Sequence, residues 1–313
     1  MSRLTIRRPP ALRAGDTVAV VAPSGPVRPE RIAQGLALLE SWGLTVVPGA
    51  EVYARHGYLA GTDTQRGAAL AWALTDPAIR GVFCARGGYG AQRVVDGLDL
   101  AGIGRDPKLV VGFSDITALH LALWRGARLA SVHGPVLTQL TEEFPAVSVA
   151  ALRTAIMSEQ PVLLHREPEA ETGSVTVPGP PVTGTLLGGN LCLLAASLGT
   201  PDLPPLDGAI LMIEEVEEPP YKVDRMLTQL RRAGVLRGVA GIAVGQFTDC
   251  ADEWPMSIVD VLLDRLGDLG VPVLGGLPFG HGEAARSVPV GVPATLDVSA
   301  GTLTVSPAVE QPR

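Results

Sequence analysis

Basic charge, histidine, cysteine and aromatic side chains are all scarce in this chain, and each shortage excludes a class of function. Lys and Arg total 25 against 32 Asp and Glu, leaving a net charge of −7. That balance argues against a nucleic-acid or anionic-membrane partner, although a local arginine can still hold a small acidic substrate. The three cysteines, Cys84, Cys192 and Cys250, are an odd number, widely spaced and without a C-x-x-C pair. Neither a zinc ribbon nor a dithiol redox site is expected, and reduced thiols suit a cytoplasmic protein. No H-E-x-x-H occurs, and His281-Gly282-Glu283 offers too few ligands for a metal. Gly87-Gly88 is too short for a dinucleotide fingerprint and no G-K-[ST] follows, so no cofactor is expected. No apolar run approaches the roughly 18 residues of a membrane span. The basic start, Met1 to Arg8, leads into Pro9-Pro10 without an apolar signal core. A soluble cytoplasmic protein follows as the expectation.

What is present is a turn-rich globular composition, 46% hydrophobic and 18% charged, with 37 Gly and 27 Pro in 313 residues. The length suggests two domains. In the first half, apolar runs at Val18–Ala22, Leu44–Val47, Gly81–Ala85 and Leu109–Val111 read as strands. Between them, Glu30–Trp42, Thr62–Leu74 and Val94–Leu98 carry helical spacing. Such alternation predicts βαβ units and a parallel α/β sheet, whose ligands bind at the carboxyl ends of the strands. The pattern fades after Leu140, and Pro161–Pro181 is rich in Pro, Glu, Gly and Thr. We therefore expect a domain over residues 1–150, a linker or peripheral hairpin over 151–182, and a second domain over 183–313.

Four segments carry chemistry. Gly112-Phe113-Ser114-Asp115 stands where a buried strand turns into a helix marked by Ile116, Leu119 and Leu123. Ser114 reads either as a helix N-cap or as a nucleophile held at the carboxyl edge of the sheet. The match to G-x-S-x-G is half complete, because Ile116 replaces the second glycine. Glu214 ends the apolar run Ile210–Ile213 and opens a cluster with Glu215, Glu217 and Glu218. It reads either as part of a solvated acidic turn, paired by Lys222 and Arg225, or as the acid that orients a catalytic imidazole. Among five histidines, His281 has the strongest context, after a strand-end turn and flanked by Gly280 and Gly282. His133 is a weaker candidate; His56, His120 and His165 have less support. The order Ser114, Glu214, His281 is nucleophile–acid–base order in α/β-hydrolases. Arg86-Gly87-Gly88-Tyr89-Gly90 is either a tight connecting loop or a turn offering N–H groups to an oxyanion.

Eight segments in order together resemble the LD-carboxypeptidases, serine peptidases of bacterial cell-wall recycling. They are Val20–Gly25, Leu59–Asp63, Arg86–Gly90, Gly112–Thr117, His133–Pro135, Gly184–Asn190, Ile213–Glu215 with Pro220–Leu227, and Gly276–His281. The resemblance implies a parallel N-terminal α/β domain and a smaller, β-rich C-terminal α/β domain, with the site between them. It places the nucleophile on Ser114, the acid on Glu214 and the base on His281, with a slip to Glu215 left open. It also implies an oxyanion hole from the backbone N–H groups of Gly88 and Asp115, a murein tetrapeptide cut before its terminal D-Ala, and a homodimer. Arg86 is a candidate for a substrate carboxylate or for a buried pair that fixes the loop. Related enzymes cleave aminoacyl or peptidyl nucleotides in microcin-type immunity, which would call for an aromatic platform, with Trp124 and Trp254 unassigned. A two-domain ligand-binding protein without catalysis is the remaining alternative.

Overall fold

The protein is described here by a computed structural model covering residues 5–253 and 255–311. The first half alternates as expected: β1 (Thr17–Val21), α1 (Pro29–Ser41), β2 (Thr45–Pro48), α2 (Asp63–Thr75), β3 (Ile79–Cys84), α3 (Leu100–Ile103), β4 (Leu109–Gly112), α4 (Thr117–Ala127) and β5 (Ser131–His133). Local chemistry sets the boundaries. Pro29 opens α1, where its fixed φ suits a first turn, and Gly43 follows the helix with φ of +84°. Thr62 and Gln65 form a reciprocal capping box at the start of α2. The helix expected over 94–98 is instead two 3₁₀ turns, Ala91–Arg93 and Val95–Gly97, because Val94 leaves helical geometry between them at φ −120°.

The second half contains α5 (Ala146–Met157), β6 (Val162–His165), β7 (Thr176–Val177), β8 (Val182–Asn190), α6 (Leu191–Ala196), β9 (Ile210–Val216), α7 (Pro220–Arg232), β10 (Gly241–Thr248), α8 (Ile258–Leu266), β11 (Val273–Leu274), β12 (Val288–Val290), β13 (Pro293–Asp297) and β14 (Thr302–Val305). Two of these strands, β6 and β7, lie within 151–182.

One sheet has six strands in the order β12-β5-β4-β3-β1-β2, all parallel except β12. The other has eight, in the order β6-β14-β13-β8-β9-β10-β11-β7. Its middle, β8 to β11, is parallel, and the flanking strands are antiparallel. This is the expected two-part α/β fold with a β-rich second sheet. Strand β12 was not legible beforehand: the chain returns from the second half and pairs Val288 with His133 of β5. Its central Pro289 is tolerated because the strand lies at the sheet edge.

The halves share a core. Val20, Phe83 and Val111 from the first sheet join Leu186, Ile210, Phe279 and Leu296 from the second half in one buried apolar cluster. Burying each such side chain contributes about 1.5–3 kcal/mol, so the placement of the two sheets against each other is set by apolar packing. Among the described residues, no helix is long and apolar enough to cross a membrane.

Candidate active site

Strand β4 ends at Gly112, and the chain turns sharply at Ser114, whose φ is +62°. A serine in the left-handed region is strained by about 1–3 kcal/mol, and such strain at a strand-to-helix turn holds the side chain outward. Ser114 opens a 3₁₀ turn that runs directly into α4, so its hydroxyl lies at the positive end of that helix. The N-cap reading does not hold: Phe113 and Ile116 occupy the two cap positions, and neither makes a side-chain cap bond.

The turn is clamped from beneath by the residue after it. Asp115, nearly fully buried, accepts hydrogen bonds from Ser24 Oγ at 2.5 Å and from the Ala91 N–H at 2.8 Å. One carboxylate thus ties together the loops after β1, β3 and β4, and burial raises its pKa against these donors. Above the turn, the Gly87 backbone is so close that a Cβ there would lie 3.2 Å from Ser114 Oγ. The adjoining Gly88 has φ of +110°, which a side chain would oppose. The Gly25 N–H donates to the Gly87 carbonyl at 3.1 Å and fixes this loop.

Glu214 and His281 come together directly. The His281 Nδ1–H donates to Glu214 Oε2 at 2.6 Å, and Glu214 is fully buried. The carboxylate accepts only, so this bond leaves Nε2 of the imidazole free to accept a proton. Gly280 makes the approach possible: at φ +124°, any Cβ there would stand 3.0 Å from the Glu214 side chain. Gln246 of β10 steadies the loop, accepting from the Gly282 N–H at 2.9 Å and donating to the Glu283 carbonyl at 3.1 Å. The His281 ring packs on Phe113, the neighbour of Ser114, with centroids 4.5 Å apart.

The acidic cluster is not a solvated turn, because β9 continues to Val216 and buries both Glu214 and Glu215. Strand alternation sends their side chains to opposite faces, which separates their roles. Glu215 accepts from Asn190 Nδ2, the Cys192 N–H and the Val216 N–H, and burial pushes its pKa up to about 7. Only further along does the cluster meet solvent, where Lys222 pairs with Glu218 at 2.9 Å. Arg225 instead lies over the Tyr221 ring.

Of the other histidines, His120 is buried in α4, where its Nε2–H donates to the Gly112 carbonyl at 2.8 Å. His133 is buried with its ring edge-on to Phe113 and Phe279. Burial lowers the pKa of His120 to about 4 and holds His133 well below the ordinary range. Both are neutral packing groups at pH 7. Arg86 makes no buried pair; its exposed guanidinium donates to the Pro26 carbonyl at 3.1 Å. Trp124 is buried beneath Arg128, Trp254 lies outside the described residues, and an exposed Tyr58–Tyr89 ring pair flanks Gly88. Among the described residues no cluster of His, Cys, Asp or Glu could hold a metal ion.

Ser24, Thr117, Asn190 and Gln246 were not singled out beforehand. Ser24, Thr117 and Asn190 lie inside recognisable segments, but none has a signal in spacing that tells which partner it meets.

With this geometry in place, comparison with known proteins is informative. The family descriptions for the LD-carboxypeptidase N-terminal and C-terminal domains match residues 18–134 and 183–296. The murein tetrapeptide carboxypeptidase of Pseudomonas aeruginosa is 35% identical over 288 residues, covering 90% of this chain and 92% of that one. The crystal structure of muramoyltetrapeptide carboxypeptidase from Oxalobacter formigenes superposes with a TM-score of 0.83 at 31% identity, covering 95% of this chain and all of that one. The microcin C7 self-immunity protein, solved with aspartyl sulfamoyl adenosine, shares the fold at a TM-score of 0.86 and 23% identity, covering 96% and 98%.

Proposed function

This chain belongs to the LD-carboxypeptidase family, and from that premise we propose that it is a serine peptidase removing the terminal D-Ala from murein tetrapeptides. The observation that carries this reading is the Glu214–His281 pair at 2.6 Å, closed against Phe113 beside the strained Ser114. In the proposed mechanism, His281 Nε2 takes the Ser114 hydroxyl proton as Oγ attacks the carbonyl of the scissile amide. Glu214 keeps the imidazole in the Nδ1–H tautomer and stabilises the imidazolium that forms. The backbone N–H groups of Gly88 and Asp115 are the donors for the developing oxyanion, helped by the amino end of the helix that follows Ser114. The imidazolium then protonates the leaving amine, D-Ala departs and an acyl-enzyme stays on Ser114. Water, deprotonated by His281, releases the shortened peptide and restores the serine.

The serine is contributed by one half and the acid and base by the other, which makes the packed interface part of the catalytic apparatus. The resemblance also carries a cytoplasmic location, a role in cell-wall recycling and a homodimer into this proposal. A second reading, hydrolysis of aminoacyl nucleotides, draws on the exposed Tyr58–Tyr89 ring pair next to Gly88, whose centroids are 5.9 Å apart.

Incubation with murein tetrapeptide and, separately, with an aminoacyl sulfamoyl adenylate, each followed by mass spectrometry, tests both. Release of D-Ala by the wild type and not by Ser114→Ala supports the first reading. Cleavage of the adenylate alone supports the second. Binding without cleavage, identical in wild type and Ser114→Ala, would leave a ligand-binding protein.

A further inference from the structure

In a chain whose net charge is −7, one cleft of about 570 Å3 has four arginines in its wall and no carboxylate. Arg28, Arg31, Arg55 and Arg86 line it together with Tyr53 and Thr138. Arg86 and Arg55 reach only backbone carbonyls, of Pro26 and Gly57, and among the described residues none of the four forms an ion pair. Arg80, Arg93 and Arg231, by contrast, are paired with Asp106, Asp63 and Asp268. Four like charges left facing one cavity repel one another, and a bound anion relieves that repulsion. A concave wall of one sign also focuses its field on whatever enters.

A second feature points into the same place. Helix α1, 13 residues long, begins at this cleft with Arg28 at its N-cap and no side-chain cap; Pro29 has no N–H and the Arg31 N–H donates to the Arg28 carbonyl at 2.9 Å, which leaves the Glu30 N–H at this end. The positive end of the helix dipole adds to the pull on an anion. The cleft also adjoins the proposed reaction centre through the backbone: Arg86 precedes Gly87, where a Cβ would lie 3.2 Å from Ser114 Oγ. Its far wall is tied to the same loop, since the Thr138 N–H donates to the Ala85 carbonyl at 3.1 Å.

We propose that this arginine cleft is a subsite for a multiply charged anionic group of the substrate, lying outside the scissile residue. The group is either two or more carboxylates or a phosphate or diphosphate; guanidinium forks bind both bidentately. This subsite rests on the peptidase reading of Ser114, Glu214 and His281, and it would select acidic peptides or their phosphorylated conjugates over neutral ones.

Two measurements test it, one of them independent of turnover. Calorimetry of Ser114→Ala with inorganic pyrophosphate, and separately with citrate, should show binding to a single site that weakens as salt rises. Adding Arg31→Ala and Arg55→Ala should weaken it at least tenfold, and the preferred probe distinguishes phosphate from carboxylate recognition. In the active enzyme, Arg31→Ala/Arg55→Ala should raise the KM for the tetrapeptide at least tenfold and change kcat less than threefold. Removing the same charge at Arg105 and Arg237 should do neither. Absence of probe binding, equal binding by the double variant, or an unchanged KM would overturn the proposal. If the wild type fails to cleave the tetrapeptide, the peptidase reading fails, and displacement of the peptide from Ser114→Ala by pyrophosphate still decides the subsite.

Discussion

Asn190 donates its backbone N–H to Thr117 Oγ1 at 3.0 Å, a bond that crosses from the second half of the protein to the first turn of the helix that follows Ser114. The contact is tight, since a Cβ at the preceding Gly189 would stand 2.6 Å from that same oxygen. The Asn190 side chain in turn donates to Glu215, the neighbour of Glu214. A continuous path of hydrogen bonds and backbone therefore runs from the serine turn to the acid. Thr117→Val keeps the shape and leaves a buried N–H without a partner, which costs about 1–3 kcal/mol. Chemical denaturation should show that loss. The kcat should fall as well, about tenfold or more, because small misplacement of catalytic groups has large kinetic effects.

Glu214→Gln keeps the volume of the acid and removes its charge. The amide can still touch His281 Nδ1, but it no longer stabilises an imidazolium and can present an N–H that favours the wrong tautomer. In serine proteases the equivalent change lowers kcat about 10⁴-fold. A loss of 10³-fold or more in kcat with little change in KM is expected here, measured by release of D-Ala. Glu215→Gln tests the neighbouring carboxylate, which accepts from the Cys192 N–H, Asn190 Nδ2 and the Val216 N–H. It should mainly reduce stability, because an amide cannot accept at both ends.

How much of this was legible in the sequence depends on the kind of physics involved. The alternation of the first half followed from hydrophobic periodicity and local caps such as Thr62 with Gln65. The half-matched G-x-S motif suggested a sharp strand-to-helix turn at Ser114 and left a helix N-cap open; the positive φ itself carried no signal in the sequence. The second half was harder. That β9 runs on through Glu214 and Glu215 could not be read from four clustered glutamates, because burial of a carboxylate is favourable only with partners brought by distant segments. The same holds for β12, three residues with a central proline, whose pairing with β5 is purely tertiary. The choice between Glu214 and Glu215 needed the alternation of a strand whose end was not visible beforehand.

Gly87→Ala should act as a steric probe of the proposed role of Ser114. The new methyl would stand 3.0 Å from Ser114 Cβ and 3.2 Å from its Oγ, in the space an attacking serine needs. Gly87 does not have a positive φ, so the backbone tolerates alanine; Gly88→Ala, at +110°, would strain the fold itself. Gly87→Ala should therefore lower kcat/KM at least a hundredfold with a Tm near that of the wild type. Gly88→Ala should lower both, and differential scanning calorimetry beside the activity assay distinguishes the two.

Acid should destabilise the protein through its buried histidines. The pKa of His120 falls to about 4 on burial, against the ordinary 6.5 of an exposed imidazole. The unfolded chain thus binds a proton that the folded one refuses, so stability is fully present above pH 6.5 and is lost as pH falls toward 4. For this single group the loss at pH 5 is about 2 kcal/mol. His133, held well below the ordinary range, adds in the same direction. Glu215, raised to about 7, works with the opposite sign: its contribution is present at low pH and is lost as pH rises from 4.5 through 7. The net profile mixes these terms, so the informative measurement is a difference. Urea titrations of the wild type and of His120→Gln at pH 5, 6 and 7.5 should show the variant losing less stability than the wild type between 7.5 and 5. Glutamine can still donate to the Gly112 carbonyl but does not titrate, so equal slopes would mean that His120 is not held neutral by burial.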